Sequence, residues 1–463
     1  MIKMIKKEKI MLLFPDGVGI RNYLYSDVFK GAKEELVLLH DFDEATIKTL
    51  KENVIFSEDL RIPVYKETIK EKFLRELICL SRLYCNSKKV ANLSLLTNWN
   101  WKQNTLSKKI FYTSIEITAS SFKKYSSILK LEKWYQKAIR NTNFYGEAKS
   151  ILEIMGPKII FCSHQRALKA APFFAAANDL GIHTTTVIYS WDNLPKARLA
   201  LRADSYLVWS ENMKKEMELY YPEIPITTIH VTGTPQFEFY DDPRNVMEKE
   251  TFFKKYKLDP SKKIICFSGD DIKTSPDDPS YLKDIAEEIT NAGLHGAYQI
   301  LLRRCPVDVS GRFDEVVKRY SDLIREVPPL WYYNSSKDWT SVYPLEEDVK
   351  LLVSTAFYSD VVVNVGSTMA FDFGMFNKRC IFINYDQQNK TVKDWSVKTI
   401  YQYQHFRSMP SHNAVIWLNS KEEIVEKVTN SEYDSNYMKL WKEIVIGDHL
   451  NASHSIKNKL KID

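Results

Sequence analysis

Residues 360–385, DVVVNVGSTMAFDFGMFNKRCIFINY, narrow the folds open to this chain more than any other stretch. Val361-Val362-Val363 is a β-branched run, and Cys380-Ile381-Phe382-Ile383 is a second apolar run of strand length. Both read as buried strands of a parallel sheet. Between them Gly366 turns the chain, Ser367 or Thr368 can cap a helix, and Asn377-Lys378 ends it. The unit is β-loop-α-β. A helix N-terminus offers unpaired N–H groups and suits an anion such as a phosphate. The dipole alone contributes only ~0.3–1 kcal/mol, so the hydroxyls and other donors must share the task. Thr368 and Asp372 are four residues apart, on one helix face. A carboxylate there, one turn from a bound phosphate, could accept hydrogen bonds from a ribose diol. The same residues also fit an ordinary capped core helix with Asp372 in a local ion pair.

At 463 residues the chain is too long for one core and suits two domains. Lys9 to Phe14 predicts a first strand, followed by the loop Pro15-Asp16-Gly17-Val18-Gly19 and a helix around Tyr23 to Ala32. Gly17 and Gly19 would let that loop approach a ligand, although a tight turn explains them as well. Leu36 to Leu39 is the next strand. From about 66 to 154 the alternation stops and the period turns helical, as in an insertion. The strand rhythm returns at Lys158 to Cys162, which leads into Ser163-His164-Gln165-Arg166. Thr184 to Tyr189 follows and ends in Ser190-Trp191-Asp192-Asn193. Lys263 to Phe267 opens a second half and delivers Ser268-Gly269-Asp270. Gln299 to Leu302 delivers Arg303-Arg304-Cys305-Pro306. The expected division is 1–238 with its insertion, 239–420, and terminal helices over 421–463.

Six cysteines show no metal-ligand spacing and sit mostly in apolar runs, as reduced thiols of a cytoplasmic protein would. The basic N-terminus has too short an apolar run for a signal peptide or a span, and no other run approaches ~18 apolar residues. Charge is uneven. From Lys88 to Arg140 eleven Lys/Arg stand against two Glu, about +9, while the whole chain is only +6. Trp99, Trp101, Phe111, Tyr112, Phe122, Tyr125, Trp134 and Tyr135 are interleaved. Three readings stay open: an anionic bilayer surface, single-stranded nucleic acid, or a solvated helical face with inward aromatics. Nucleic acid is the least favoured, because the rest of the chain is slightly acidic.

The order strand-GDD, strand-RRxP, D-V-x-L-L and S-D-V-V-V-N-V-G-S-T-x-x-x-D resembles the C-terminal domain of GT-B glycosyltransferases. The nearest local likeness is to bacterial CDP-glycerol glycerophosphotransferases and surface-polysaccharide enzymes, through Ser367-Thr368-Met369-Ala370-Phe371-Asp372. Non-hydrolysing UDP-GlcNAc 2-epimerases share the domain with a less similar run. Cys305 departs from the pattern, where relatives often carry histidine. The resemblance covers roughly Thr184 to Tyr385. It implies an α/β chain with two Rossmann-like domains facing across a cleft, the second holding a nucleotide diphosphate donor. Open parallel sheets bind ligands beyond the carboxyl ends of their strands, which selects the same residues independently.

Transfer from a nucleotide sugar needs a base for the acceptor hydroxyl and stabilisation of the leaving diphosphate. The donor candidates are Gly269, Asp270, Arg303, Arg304, Gly366, Ser367, Thr368 and Asp372. Arg303 and Arg304 could instead be structural ion pairs. The base candidates are Asp16, then His164, then Asp192. Asp16 could equally be a turn residue, and His164 a satisfied structural one. Trp191 and Asn193 would meet the acceptor, Trp191 by stacking on a sugar face. No metal and no cofactor beyond the nucleotide-sugar substrate are expected, and Asp241-Asp242 and Asp277-Asp278 read as surface turns. The expected activity is sugar transfer, with inversion, to a surface-polysaccharide or lipid-linked acceptor, on the inner face of the plasma membrane if the basic insertion meets it. The alternatives are a glycerophosphotransferase, a 2-epimerase-like isomerase and a non-catalytic binding scaffold.

Overall fold

The computed structural model describes residues 7–99, 105–333, 342–430 and 432–462. Trp101 of the aromatic series and residues 334–341 lie outside the described residues. The chain divides into two compact units, Met1–Pro235 with Val445–Asp463, and Gln236–Ile444. The terminal stretch 421–463 is thus split between the units and does not form a separate piece.

The first unit holds a parallel sheet of β1 (Lys9–Phe14), β2 (Glu35–His40), β3 (Glu58–Arg61), β4 (Ile159–Cys162), β5 (His183–Val187), β6 (Ser205–Val208) and β7 (Ile229–Val231). Its order is β3-β2-β1-β4-β5-β6-β7. The inner strands are continuous apolar runs because both faces are covered; β1 is KIMLLF with all but its first residue buried. The order reverses between β1 and β4, the switch point at which open sheets of this class bind ligands. In place of the helix expected from Tyr23 to Ala32, the loop after β1 forms only a wide five-residue turn, Ile20–Leu24.

The insertion is helical: α2 (Ile69–Lys89), α3 (Leu106–Ala119), α4 (Tyr125–Arg140) and α5 (Asn143–Met155) follow α1 (Glu44–Asn53). A capping box between Thr68 and Glu71 starts α2. The insertion is not a separate lobe. Tyr112, Ile115, Leu131 and Tyr135 share one buried cluster with Met11, Leu13 and Val37 of the sheet. Two more helices, α6 (Ala171–Leu180) and α7 (Glu211–Tyr220), complete the crossovers. The segment 445–462 returns to this unit and buries Ile456 and Leu460.

The second unit begins with α8 (Lys249–Lys255) and β8 (Lys263–Ser268). It continues with α9 (Asp278–Asn291), β9 (Tyr298–Arg303), α10 (Asp314–Arg319) and β10 (Ile324–Glu326). A small antiparallel pair, β11 (Trp331–Tyr332) and β12 (Tyr343–Pro344), precedes α11 (Glu346–Tyr358), β13 (Val361–Asn364), α12 (Met369–Gly374), β14 (Arg379–Ile383) and β15 (Ile416–Leu418). The main sheet has the order β10-β9-β8-β13-β14-β15 with every pair parallel. That is again a doubly wound Rossmann order, with its switch point between β8 and β13. No described helix is long and apolar enough to cross a membrane.

Candidate functional site

In the first unit the carboxyl ends of β1 and β4 bring two of the three base candidates together. Asp16 Oδ2 lies 2.8 Å from His164 Nδ1, and Asp16 Oδ1 accepts the Val18 amide at 3.0 Å. Asp16 therefore fills the turn role and orients an imidazole at once. An ionised carboxylate only accepts, so the pair favours the tautomer protonated on Nδ1 and leaves Nε2 as the basic nitrogen. His164 is 3% exposed, and the ring of Tyr189 stands edge-on to it at 4.9 Å. Ser163 Oγ donates to the Val18 carbonyl at 2.8 Å. A Cβ on Gly19, which has φ +90°, would come within 2.7 Å of Ser163 Cβ. The contact between the two loops by itself requires a glycine here.

The SWDN loop after β5 departs from expectation. Trp191 is 5% exposed, so its face packs in the core and does not stack on a sugar. Asp192 accepts from Ser190 Oγ at 2.7 Å and Asn193 Nδ2 at 3.0 Å, and pairs with Lys196. These bonds make it the organiser of its loop. Asn193 is buried, and its Oδ1 faces Gln165 Nε2 at 3.4 Å and Arg166 Nη1 at 3.3 Å. Sequence reasoning missed Glu216 on α7. Burial, then the charge of Asp192, pushes its carboxyl up to about 8, and its Oε2 is buried without a hydrogen bond. Its only sequence signal is a Glu beside Met217 in the buried stripe of α7.

In the second unit the loops at the switch point follow β8 and β13, so Gly269, Asp270, Gly366, Ser367 and Thr368 all lie at strand carboxyl ends. Two of the amides after β13 are already engaged, however. The Ser367 amide donates to Asn364 Oδ1 at 2.9 Å, and the Met369 amide approaches Ser367 Oγ at 3.4 Å. Gly366 has φ +66°, and a Cβ there would meet Phe406 Cζ at 2.8 Å, so an aromatic lid of the unit's own covers it. Helix α12 spans only six residues, and Thr368 makes no side-chain cap. With those two amides engaged, the Ser367 and Thr368 hydroxyls are the side-chain donors at this turn. Asp372 is 8% exposed and accepts the Tyr240 hydroxyl at 2.5 Å, an internal bond in place of the expected ribose contact.

The arginines are also engaged. Arg303 Nη2 donates to both oxygens of Asp348, at 3.0 and 2.9 Å. Asp348 further accepts the Leu330 amide at 2.8 Å and Trp331 Nε1 at 2.9 Å, which makes this buried carboxylate a hub. Arg303 Nη1 is buried without a hydrogen bond. Arg304 is neutralised by Glu326 at 2.6 Å and Asp314 at 2.7 Å. The ion-pair reading thus accounts for both arginines.

Asp277 and Asp278 are not surface turn residues: both are buried, at 0% and 1% exposure. Asp278 accepts the Asp270 amide at 2.6 Å and Ser275 Oγ at 2.5 Å, which sets the loop after β8. Burial pushes the Asp278 carboxyl up to about 6. Burial, with the nearby Asp278 and Asp271, holds Asp270 well above the usual carboxylate range.

Known proteins add to this. Neither a protein-family model nor a curated protein matches the chain. Solved structures do match. A UDP-GlcNAc 2-epimerase from Methanocaldococcus jannaschii gives a TM-score of 0.51 at 10% identity, over 98% of this chain and 99% of that one. A glycosyltransferase from Rickettsia africae gives 0.50 at 11% identity, over 98% and 97%. The S. aureus MnaA protein, solved with UDP, gives 0.50 at 12% identity, also over 98% and 97%. The chain shares their fold. Each of its two units carries a Rossmann-like parallel sheet, a GT-B-like fold in agreement with that likeness.

In the basic insertion most aromatics face inward. Tyr112 and Tyr135 are each 4% exposed, Trp99 Nε1 bonds to Glu116 at 3.0 Å, and Phe111 and Phe122 pack against the core. Trp134 remains 54% exposed. The outward side of α3 carries Leu106, Ile110 and Ile117, at 75%, 63% and 68% exposure. Their spacing places all three on one stripe of the helix.

Proposed function

We propose that the protein is an enzyme of nucleotide-linked sugars that transfers the sugar to a hydroxyl acceptor. The observation that carries this is the 2.8 Å bond between Asp16 and His164 at the switch point of the first sheet. His164 Nε2 takes the acceptor proton while Asp16 holds the ring, the division of labour that makes a buried imidazole a base. As the acceptor oxygen bonds to the anomeric carbon, the bond from that carbon to the diphosphate breaks, with inversion and without a metal. In the second unit Ser367, Thr368, Gly269 and Asp270 form the donor side. The UDP bound by S. aureus MnaA, and the UDP-GlcNAc on which the M. jannaschii epimerase acts, support a uridine donor.

The same neighbours favour a second reading, a 2-epimerase, which would change the donor with no acceptor present. The two separate on incubation with UDP-GlcNAc, followed by NMR with and without a glycan acceptor. Transfer requires the acceptor; epimerisation does not. Glycerophosphoryl transfer would release CMP from a CDP-linked donor, and a scaffold would bind a nucleotide without turnover. A thermal-shift panel of UDP, GDP, CMP, CDP and dTDP, repeated on Ser367→Ala/Thr368→Ala, tests the donor side. One nucleotide stabilises the parent and not the variant. Equal stabilisation of both proteins by every nucleotide would refute the assignment of those hydroxyls.

The acceptor in this reading is lipid-linked or part of a surface glycan, reached at the inner face of the plasma membrane. The exposed apolar stripe of α3, inside a segment of net charge about +9, is the contact with an anionic bilayer.

A further inference from the structure

Two residues beyond His164, Arg166 lines a cavity of about 240 Å³ in the first unit. Its walls come from α2, α4 and the segment joining β5 to β6. Four guanidiniums face it, those of Arg75, Arg82, Arg166 and Arg198, against one carboxylate, Glu132. Three are largely neutralised. Arg75 pairs with Glu67 and Glu76, Arg82 with Glu132 at 3.1 Å and Glu223 at 2.6 Å, and Arg198 with Glu76 at 3.1 Å. Arg166 is different. It has only the Tyr189 hydroxyl at 3.4 Å and Asn193 Oδ1 at 3.3 Å, and no described carboxylate pairs with it.

Two tyrosines of the lining point the same way. Tyr135 is 4% exposed and Tyr221 1%, and neither hydroxyl bonds to a described residue. Both residues line the cavity, so a hydroxyl there can bond to what the cavity holds. Guanidinium and phenol groups supply donors, and what fits a ring of donors is an acceptor-rich anion. The rest of the wall, Ile78, Leu168, Ala197 and Leu199, is apolar and suits a short carbon frame. The cavity also adjoins the Asp16–His164 pair. The Tyr189 hydroxyl meets Arg166, and the Tyr189 ring meets His164.

We propose that this cavity binds the anionic end of the acceptor, a phosphate or carboxylate on a short carbon frame, through Arg166 and the Tyr135 and Tyr221 hydroxyls. The acceptor assignment rests on the transferase reading; the anion site itself does not. The test uses the full chain and three probes on one frame: glycerol 3-phosphate, glycerate and glycerol. Calorimetric titration should show binding of glycerol 3-phosphate, glycerate or both, and none of glycerol. Which anion binds decides between phosphate and carboxylate. Arg166→Gln should weaken binding at least about tenfold. Tyr135→Phe removes only a hydroxyl that has no internal partner. It should leave the melting temperature of the probe-free protein unchanged and weaken the anion by about the same factor. Absence of binding by both anions, or full binding by both variants, would overturn the site. Binding that is lost in both variants, with no sugar transfer to any anionic acceptor, would keep the site and remove the transferase reading.

Discussion

Asp16 and His164 are 148 residues apart in sequence and 2.8 Å apart in space, one at the end of β1 and one at the end of β4. The adjacency of the two strands makes the pair, and the reversal of strand order there leaves room for a ligand. If the pair moves the acceptor proton, His164→Ala and Asp16→Asn should each lower kcat by about 10²–10⁴ with little change in KM for the donor. The double variant should be hardly worse than His164→Ala, because the two residues act as a unit. Steady-state kinetics checks both points.

The Arg303–Asp348 pair is a matter of stability. Asp348→Ala strands a buried guanidinium and frees the Leu330 amide and Trp331 Nε1, so a loss of about 3–5 kcal/mol is expected. Replacing both partners with apolar residues should cost less than that single change. Calorimetric unfolding of the three variants reads the difference.

Glu216 should make stability fall as pH rises. Its carboxyl goes from an ordinary 4.5 to about 8 in the folded protein, mainly through burial. Between those values the folded state holds a proton that the unfolded state has lost, so stability drops across that window by at most about 1.4 kcal/mol per pH unit. Glu216→Gln should melt higher than the parent at pH 8 and close to it at pH 4.5. Melting temperatures across pH 4.5–9 check this.

The apolar stripe of α3 should be dispensable for folding and needed for vesicle binding. Ile110→Asp/Ile117→Asp should change stability by no more than about 0.5 kcal/mol per site, as for exposed positions. The parent should sediment with anionic vesicles at low salt and less at high salt, and the double variant should not sediment. Binding that ignores ionic strength would count against an electrostatic contact.

Much of the fold was legible because parallel strands buried on both faces advertise themselves. Leu12-Leu13-Phe14, Ile159-Ile160-Phe161 and Val361-Val362-Val363 permit little else. In the two main sheets the strands missed were β3, β10 and β15, all at sheet edges and short, two of them written EDLR and IRE. Edges are kept polar to block further pairing, which erases the apolar signal. The site was legible at strand ends, where Asp16 and His164 stand. It was not legible for Asp372, Trp191 or Arg303, because a carboxylate, an indole or a guanidinium looks the same in sequence whether it meets a ligand or a neighbour. Asp277-Asp278 misled for a related reason: a Pro-flanked acidic turn reads as surface unless the amide and the hydroxyl it serves are known.

The chain leaves the first unit after Pro235 and comes back to it at Val445. During synthesis, then, the second unit has all its residues before the first does. The unit that carries Asp16 and His164 is therefore complete only once its buried Ile456 and Leu460 have left the ribosome. A chain stopped near residue 444 would therefore strand the half made first and spare the half made second.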